Sequence, residues 1–461
     1  MVTTSNEQYF NDDSLSRISA VILPNSSINQ LGHRSIPALK RYMEAGGSGI
    51  ITLPDTLLQK KGWPWLQTLT EQKEGAELSI DQGRLLKLEK NYSAEDIEKG
   101  LVYVIGGNKQ ADYSRATTLN VPDSTRYTRT VLAQGLDEPL QMALLPGNDV
   151  LFIERKGGVK MFESKTGDLK TIANLDVFTG IEDGLLGVAA DPNFAENHWL
   201  YVYYSVAKGK QVNRLSRFEL LDDQLDQSSE KILLEIPTQR IYCCHSAGYL
   251  AFDSQGNLYL STGDNTNAED PLVEGYPPVD ERPGHELADD QATAASTDNL
   301  KGKILRITPE DDGTYSIPDG NLFPKDGSKG RPEIYIMGLR NPFRFTVDEK
   351  NNNLYWGDVG PDTKVKSDYG EPMSFDEINQ ARGPGFYGWP YFLGNNQAFP
   401  HYDYETKLEG PKKDPANPIN DSPNNTGERI LPPAQGAMIW YGKGNSKEFP
   451  LVGNGGASAM A

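Results

Sequence analysis

Histidine is scarce in this chain, five in 461 residues, and His245 opens the motif His245-Ser246-Ala247-Gly248. A carboxylate follows in Ser261-Thr262-Gly263-Asp264, and a guanidinium beside an amide in Gly338-Leu339-Arg340-Asn341-Pro342. Gly357-Asp358-Val359-Gly360-Pro361, Asp376-Glu377-Ile378-Asn379 and Gly385-Phe386-Tyr387-Gly388-Trp389-Pro390 complete the series. A base, a carboxylate, a guanidinium and Gly-Pro carbonyls are the ingredients of one polar site. Each motif closes a predicted strand, and catalytic groups favour loops held by a rigid frame.

The frame is legible as a repeat. Phe252-Asp253-Ser254-Gln255-Gly256-Asn257-Leu258-Tyr259 runs into Gly263-Asp264, and Val347-Asp348 through Asn353-Leu354-Tyr355 runs into Gly357-Asp358. Weaker copies lie at Leu145-Pro146-Gly147-Asn148-Asp149-Val150 and at Asp191-Pro192-Asn193-Phe194, the latter leading to Leu200-Tyr201-Val202-Tyr203. Lys303 to Ile307 supplies a strand between the copies at Asp253 and Asp348. Spacings of roughly 40 to 60 residues, each holding several strands, indicate β-propeller blades. A sandwich would not readily end similar strands of distant repeats in the same Gly-Asp pair.

Residues 1–110 have a different rhythm. Ile18 to Leu23 reads as a buried strand, Ile36 to Ala45 as a helix ended by Gly46-Gly47, and Ile50 to Leu53 as the next strand. Ser93-Ala94-Glu95-Asp96 opens another helix with a capping-box-like pattern. Alternating strand and helix predict an α/β domain. A linker over 111–130 and an all-β domain over 131–461 complete the expected organisation.

The net charge of −19 repels phosphate backbones and anionic lipid, which argues against nucleic acid and membrane partners, and it suits a Ca²⁺-holding protein. No run approaches the roughly 18 apolar residues of a membrane span. Met1 to Phe10 is polar and carries no secretion signal, and the N-terminus is expected to be incomplete. The only two cysteines, Cys243 and Cys244, are adjacent. Such neighbours form a strained bridge at best, so both are expected to be small buried hydrophobes.

Gly184-Leu185-Leu186-Gly187-Val188-Ala189 with Asp191-Pro192-Asn193-Phe194, followed in order by the motifs above, resembles the glucose/sorbosone dehydrogenase family, the soluble quinoprotein sugar dehydrogenases. The resemblance implies a six-bladed propeller with pyrroloquinoline quinone (PQQ) and Ca²⁺ on its top face. It implies that His245 is the general base for a sugar hydroxyl and that Asp264 orients it. An imidazole titrates near neutrality, and a carboxylate partner fixes its tautomer and raises its basicity. Arg340 and Asn341 would hold the quinone oxygens, and the carbonyls of Gly360 and Pro361 would bind Ca²⁺. Glu182 and Asp183 would face the sugar. A cytochrome c would be a possible electron acceptor, and the location periplasmic or secreted.

Three positions depart from the family pattern. Ala247 replaces the first of two glycines, Glu182 stands where a well-studied branch has glutamine, and Tyr249 replaces an arginine. The ring is expected to be incomplete at the C-terminus, because relatives continue into further strands. Residues 38–47 with Trp63-Pro64-Trp65 resemble the second half of ThuA-like (trehalose-utilisation) domains, which implies a partial, class I glutamine-amidotransferase-like fold without catalytic histidine. Two rival functions fit a propeller: a Ca²⁺-dependent lactonase, which needs side-chain ligands around the metal, and a non-catalytic carbohydrate-binding module.

Overall fold

The computed structural model describes residues 21–23, 42, 49–51, 77–80, 83–87, 128, 130–180, 182–242, 245–266, 278–348, 350–361, 363, 373–442 and 449. The chain divides into two compact units, Met1–Thr130 and Val131–Ala461. In the first unit, β1 (Val21–Leu23), β2 (Gly49–Ile51) and β4 (Gly83–Lys87) pair in parallel, and β3 (Glu77–Ile80) adds antiparallel to β4. The two apolar runs expected as strands contribute β1 and β2. Tyr42 is helical and buried. The rest of the 36–45 helix, the helix expected from Ser93, Trp63, Trp65, Cys243 and Cys244 lie outside the described residues.

Among the described residues of the second unit, four sheets form blades, three of four antiparallel strands and one of six strands. The first is β5 (Pro139–Leu144), β6 (Val150–Glu154), β7 (Gly158–Phe162) and β8 (Leu169–Asn174). The second is β9 (Leu185–Ala190), β10 (Trp199–Ser205), β11 (Val212–Leu221) and β12 (Gln224–Pro237). The third joins β13 (Leu250–Phe252), β14 (Leu258–Thr262), β15 (Lys303–Pro309) and β17 (Ile334–Met337), with β16 (Tyr315–Ser316) paired to β15. The fourth joins β18 (Phe345–Asp348), β19 (Asn353–Asp358) and β20 (Asp376–Ala381) to β26 (Ile439–Tyr441). Between β20 and β26 the chain adds β21 (Gly385–Phe386), parallel to β17, and the hairpins β22 (Phe392–Leu393) with β23 (Gln397–Ala398) and β24 (Pro400–Asp403) with β25 (Leu408–Lys412). The resemblance implies six blades, and four lie among the described residues.

Strand period explains the stacking. On β10, Leu200, Val202 and Tyr204 join a core with Leu151, Ile153 and Val159 of the first blade. Their neighbours Tyr201 and Tyr203 point the other way, into a core with Leu258, Leu260 and Leu305 of the third. Tyr259 then faces Phe345, Leu354 and Trp356 of the fourth. Each central strand thus buries both faces against successive blades, which is why it reads as a continuous apolar run. Each fully buried side chain of this kind contributes about 1.5–3 kcal/mol. This is a β-propeller arrangement.

Polar bonds tie the first strands together. Gln141 on β5 donates through Nε2 to the Leu250 carbonyl (2.8 Å), and its Oε1 accepts from the Val188 amide (3.2 Å). Arg344, just ahead of β18, donates to the Leu140 carbonyl on β5 at 2.8 Å. The four repeat motifs found in the sequence all form the turn between a blade's first and second strands. Consequently the lead-in to each first strand and the exit from each second strand share the opposite edge. The chemistry-bearing motifs gather on that edge.

Candidate active site

At or just beyond the end of the second strand of each described blade, a polar side chain grips the lead-in loop of the same blade. In the first blade Glu154 Oε1 accepts from the Asp137 amide at 2.8 Å. In the second, the Ser205 hydroxyl donates to Asp183 Oδ1 (3.1 Å) and accepts from the Gly184 amide (3.2 Å). In the third, Asp264 Oδ1 lies 2.7 Å from His245 Nδ1. In the fourth, Asp358 accepts from the amides of Arg340 (3.0 Å) and Asn341 (2.7 Å). The exits of these four second strands therefore carry four chemistries.

The third blade holds the imidazole. Asp264 is fully buried and His245 only 5% exposed. A carboxylate only accepts, so His245 Nδ1 carries a proton toward Asp264, and in the neutral imidazole Nε2 is then the atom with the lone pair. Trp389 Nε1 donates to Asp264 Oδ2 at 3.0 Å, and the Thr266 amide to Oδ1 at 3.2 Å. Burial alone would raise the Asp264 carboxyl, but the charge and hydrogen bond of His245, with Arg340 and Thr266, hold it below the usual range. Gly263 makes the close approach possible: a Cβ there would stand 2.0 Å from the His245 carbonyl oxygen.

The second blade fixes the backbone of the His245 loop. Glu182 Oε2 accepts from the amides of His245 (2.6 Å) and Ser246 (3.1 Å), and the Ser246 hydroxyl donates to Asp183 Oδ1 at 3.0 Å. Burial raises the Asp183 carboxyl, and the two serine hydroxyls partly offset this. His245 and Ala247 sit at φ of 63° and 47°, left-handed conformations that cost a non-glycine residue about 1–2 kcal/mol. The methyl of Ala247 is buried.

The two halves of the site meet through Asp264, whose amide donates to the Arg340 carbonyl at 2.9 Å. The Arg340 guanidinium stands 5.7 Å from the Trp389 ring centroid and reaches the Val359 carbonyl at 3.4 Å. Asn341 is buried, and its Oδ1 has no partner among the described residues. The Gly360 amide donates to Asp376 Oδ1 at 2.8 Å, which fixes the strand of chain carrying the Gly360 and Pro361 carbonyls. Burial pushes Asp358 up to about 7 and Glu377 up to about 8. Among the described residues no three His, Cys, Asp or Glu side chains converge as a metal site.

All eight residues expected at the site thus occupy one edge of the propeller. Glu182 and Asp183, expected to face the sugar, commit the oxygens named above to the His245 loop. Trp389 lay in a motif without an assigned role, and no local signal marks it as a donor to a carboxylate 125 residues earlier. Tyr249, where a branch of the family has arginine, is half-buried with the Arg344 guanidinium 5.4 Å from its ring centroid.

The sequence pattern described as Glucose / Sorbosone dehydrogenase matches residues 136–419. The chain belongs to the glucose/sorbosone dehydrogenase family. It is 28% identical over 264 residues to the aldose sugar dehydrogenase YliI of Escherichia coli (strain K12), covering 56% of this chain and 61% of the relative. It is 23% identical over 339 residues to quinoprotein glucose dehydrogenase B of Acinetobacter calcoaceticus, covering 67% and 64%. The chain therefore spans less than two thirds of either relative. The PQQ-bound aldose sugar dehydrogenase of Streptomyces coelicolor aligns with a TM-score of 0.43 at 26% identity, over 61% of this chain and 69% of that one. Among the described residues no helix is long and apolar enough to cross a membrane.

Proposed function

We propose that this edge of the propeller is the site of a quinoprotein dehydrogenase that oxidises the CH–OH group of an aldose or related polyol. The observation that carries the reading is the His245–Asp264 pair joined through the Asp264 amide to the Arg340 loop. The Arg340 guanidinium, with one long hydrogen bond, fits PQQ, an anionic quinone, and the Asn341 Oδ1 beside it, without a partner among the described residues, is an acceptor open to a cation or a donor. Arg340 and Asn341 would hold the cofactor. The Gly360 and Pro361 carbonyls would hold Ca²⁺, a hard cation that takes oxygen ligands.

PQQ, when bound, supplies the two-electron acceptor for the carbinol hydride. His245 does the complementary work. With Nδ1–H engaged by Asp264, Nε2 takes the hydroxyl proton, and the buried carboxylate stabilises the resulting imidazolium. Glu182 keeps the His245 backbone in its left-handed turn, which that backbone leaves only by losing two amide hydrogen bonds, and Asp264 holds the ring. The reading extends to a six-bladed ring, a periplasmic location, a cytochrome c as acceptor, and a partial ThuA-like fold for the first unit.

The test adds PQQ and Ca²⁺ to the purified protein and follows dye reduction with a panel of aldoses and polyols. Turnover that needs both additions supports the reading, and silence across the panel refutes it. Lactone hydrolysis without quinone would select the lactonase. Glycan binding with no spectral change on quinone titration would select the binding module.

A further inference from the structure

One buried acid plays no part in the chemistry above. Residues 278–302, the part of the connection from β14 to β15 nearest β15, bring Asp290 against Asp264. Their course is tightly held. Lys303 Nζ donates to the carbonyls of Lys301 (2.7 Å), Thr293 (2.9 Å) and Ala294 (3.0 Å), and Asn420 Nδ2 donates to the Gln291 carbonyl (2.8 Å). The Tyr391 hydroxyl donates to Gln291 Oε1 at 2.8 Å, and the Asp290 amide to the Pro278 carbonyl at 3.0 Å. Asp290 is 3% exposed, and its side chain contacts Asp264 and Thr266. Its Oδ1 has no donor among the described residues.

Two carboxylates buried in contact cannot both be ionised. Asp264 has three donors, from His245, Thr266 and Trp389, so the negative charge settles there and the proton falls to its neighbour. We propose that Asp290 is a positioning residue that stays protonated and donates to Asp264, completing the donor shell that holds this carboxylate against His245. The charged groups facing it are Asp264, Arg340 and Lys301. Burial, and then the charge of Asp264, hold the Asp290 carboxyl well above its usual range, while Thr266 and Arg340 act the other way. The consequence for turnover rests on His245 as base, but the titration described next needs neither cofactor nor substrate.

The experiment follows the His245 imidazole by NMR titration in cofactor-free protein, for the wild type, Asp290→Asn and Asp290→Ala. Asparagine keeps a neutral donor, so the His245 midpoint stays within about 0.3 unit of wild type. Alanine removes the donor and leaves Asp264 more basic, so the midpoint rises by about half a unit or more. In the PQQ-loaded protein D290N keeps turnover within about threefold, and D290A loses about tenfold in kcat with KM nearly unchanged. A His245 midpoint that drops by about one unit in D290N overturns the proposal, because it shows that a negative charge was removed. Identical behaviour of the two variants also overturns it, by reducing Asp290 to packing. Should D290A fail to fold, the D290N titration still decides. Inactivity of every loaded form, with these midpoints as stated, would sink the quinoprotein reading and leave the role of Asp290 standing.

Discussion

The third and fourth blades each put an aspartate near the exit of the second strand and use it for different ends. Asp264 accepts from two side chains, His245 and Trp389, besides the Thr266 amide. Asp358 accepts from two backbone amides, those of Arg340 and Asn341. The first arrangement orients a proton acceptor. The second shapes a loop and leaves the side chains on it free to meet a ligand. A propeller repeats its geometry from blade to blade, so the exits of successive second strands can carry the same residue type and hold different partners.

The comparison breaks most decisively at His245. In the PQQ-loaded protein, H245A should lower kcat by about 10³-fold while circular dichroism and the unfolding midpoint stay close to wild type. A variant keeping a tenth of wild-type turnover would remove His245 from the chemistry.

The two aspartates should then separate cleanly. D264N is expected to cost about 10²-fold or more in kcat, because an amide can present its NH₂ to His245 and favour the wrong tautomer. D358N should mainly cost stability, about 1–3 kcal/mol, by setting an amide NH₂ against a backbone N–H, and should weaken cofactor binding. Paired measurements of kcat and chemical denaturation for both variants check this, and equal effects would erase the distinction.

A smaller effect concerns the contact that brings the third blade's pair together. G263A places a methyl carbon against the His245 carbonyl oxygen, and overpacking of this kind costs about 1–3 kcal/mol. Denaturant unfolding, with turnover measured on the folded fraction, should show both falling. An unchanged His245 titration and full activity would mean that the loop has room to move.

The comparison is also sharpened by a pH slope. Burial raises Glu377 to about 8 in the folded state, against about 4.3 in an unfolded chain. The folded protein therefore binds the extra proton between these values. The associated stability is fully present below about pH 4 and is lost as pH rises toward 8. E377Q, which cannot ionise, should flatten the decline in unfolding midpoint between pH 5 and about pH 9 in calcium-free buffer. A parallel decline in both proteins would show that Glu377 is not its source.

Much of this was legible in the residues alone. The Asp-x-x-Gly-Asn turns at Asp253 and the related motif at Asp348 mark the hairpin between first and second strands, because such turns impose local backbone requirements. The apolar runs at Leu258 to Leu260 and Leu200 to Tyr204 mark strands buried on both faces, because a central strand has no polar side to show. Those two signals place His245, Asp264, Arg340 and Asp358 at strand ends. The Gly357-Asp358 pair reads in the sequence as a turn signal. Its use as a clamp on Arg340 and Asn341 has no local mark, because its partners are 17 and 18 residues away.

The sequence by itself determined the strand rhythm, the order of the motifs and the acidic surface, since each follows from residue type and short-range spacing. Only the tertiary structure decided which aspartate would meet an imidazole, that Glu182 would hold a loop 63 residues on, and that Trp389 and Asp290 would close around Asp264. Those contacts depend on how blades stack and how residues 278–302 bring Asp290 against Asp264. Packing between distant segments leaves no periodic trace in the chain.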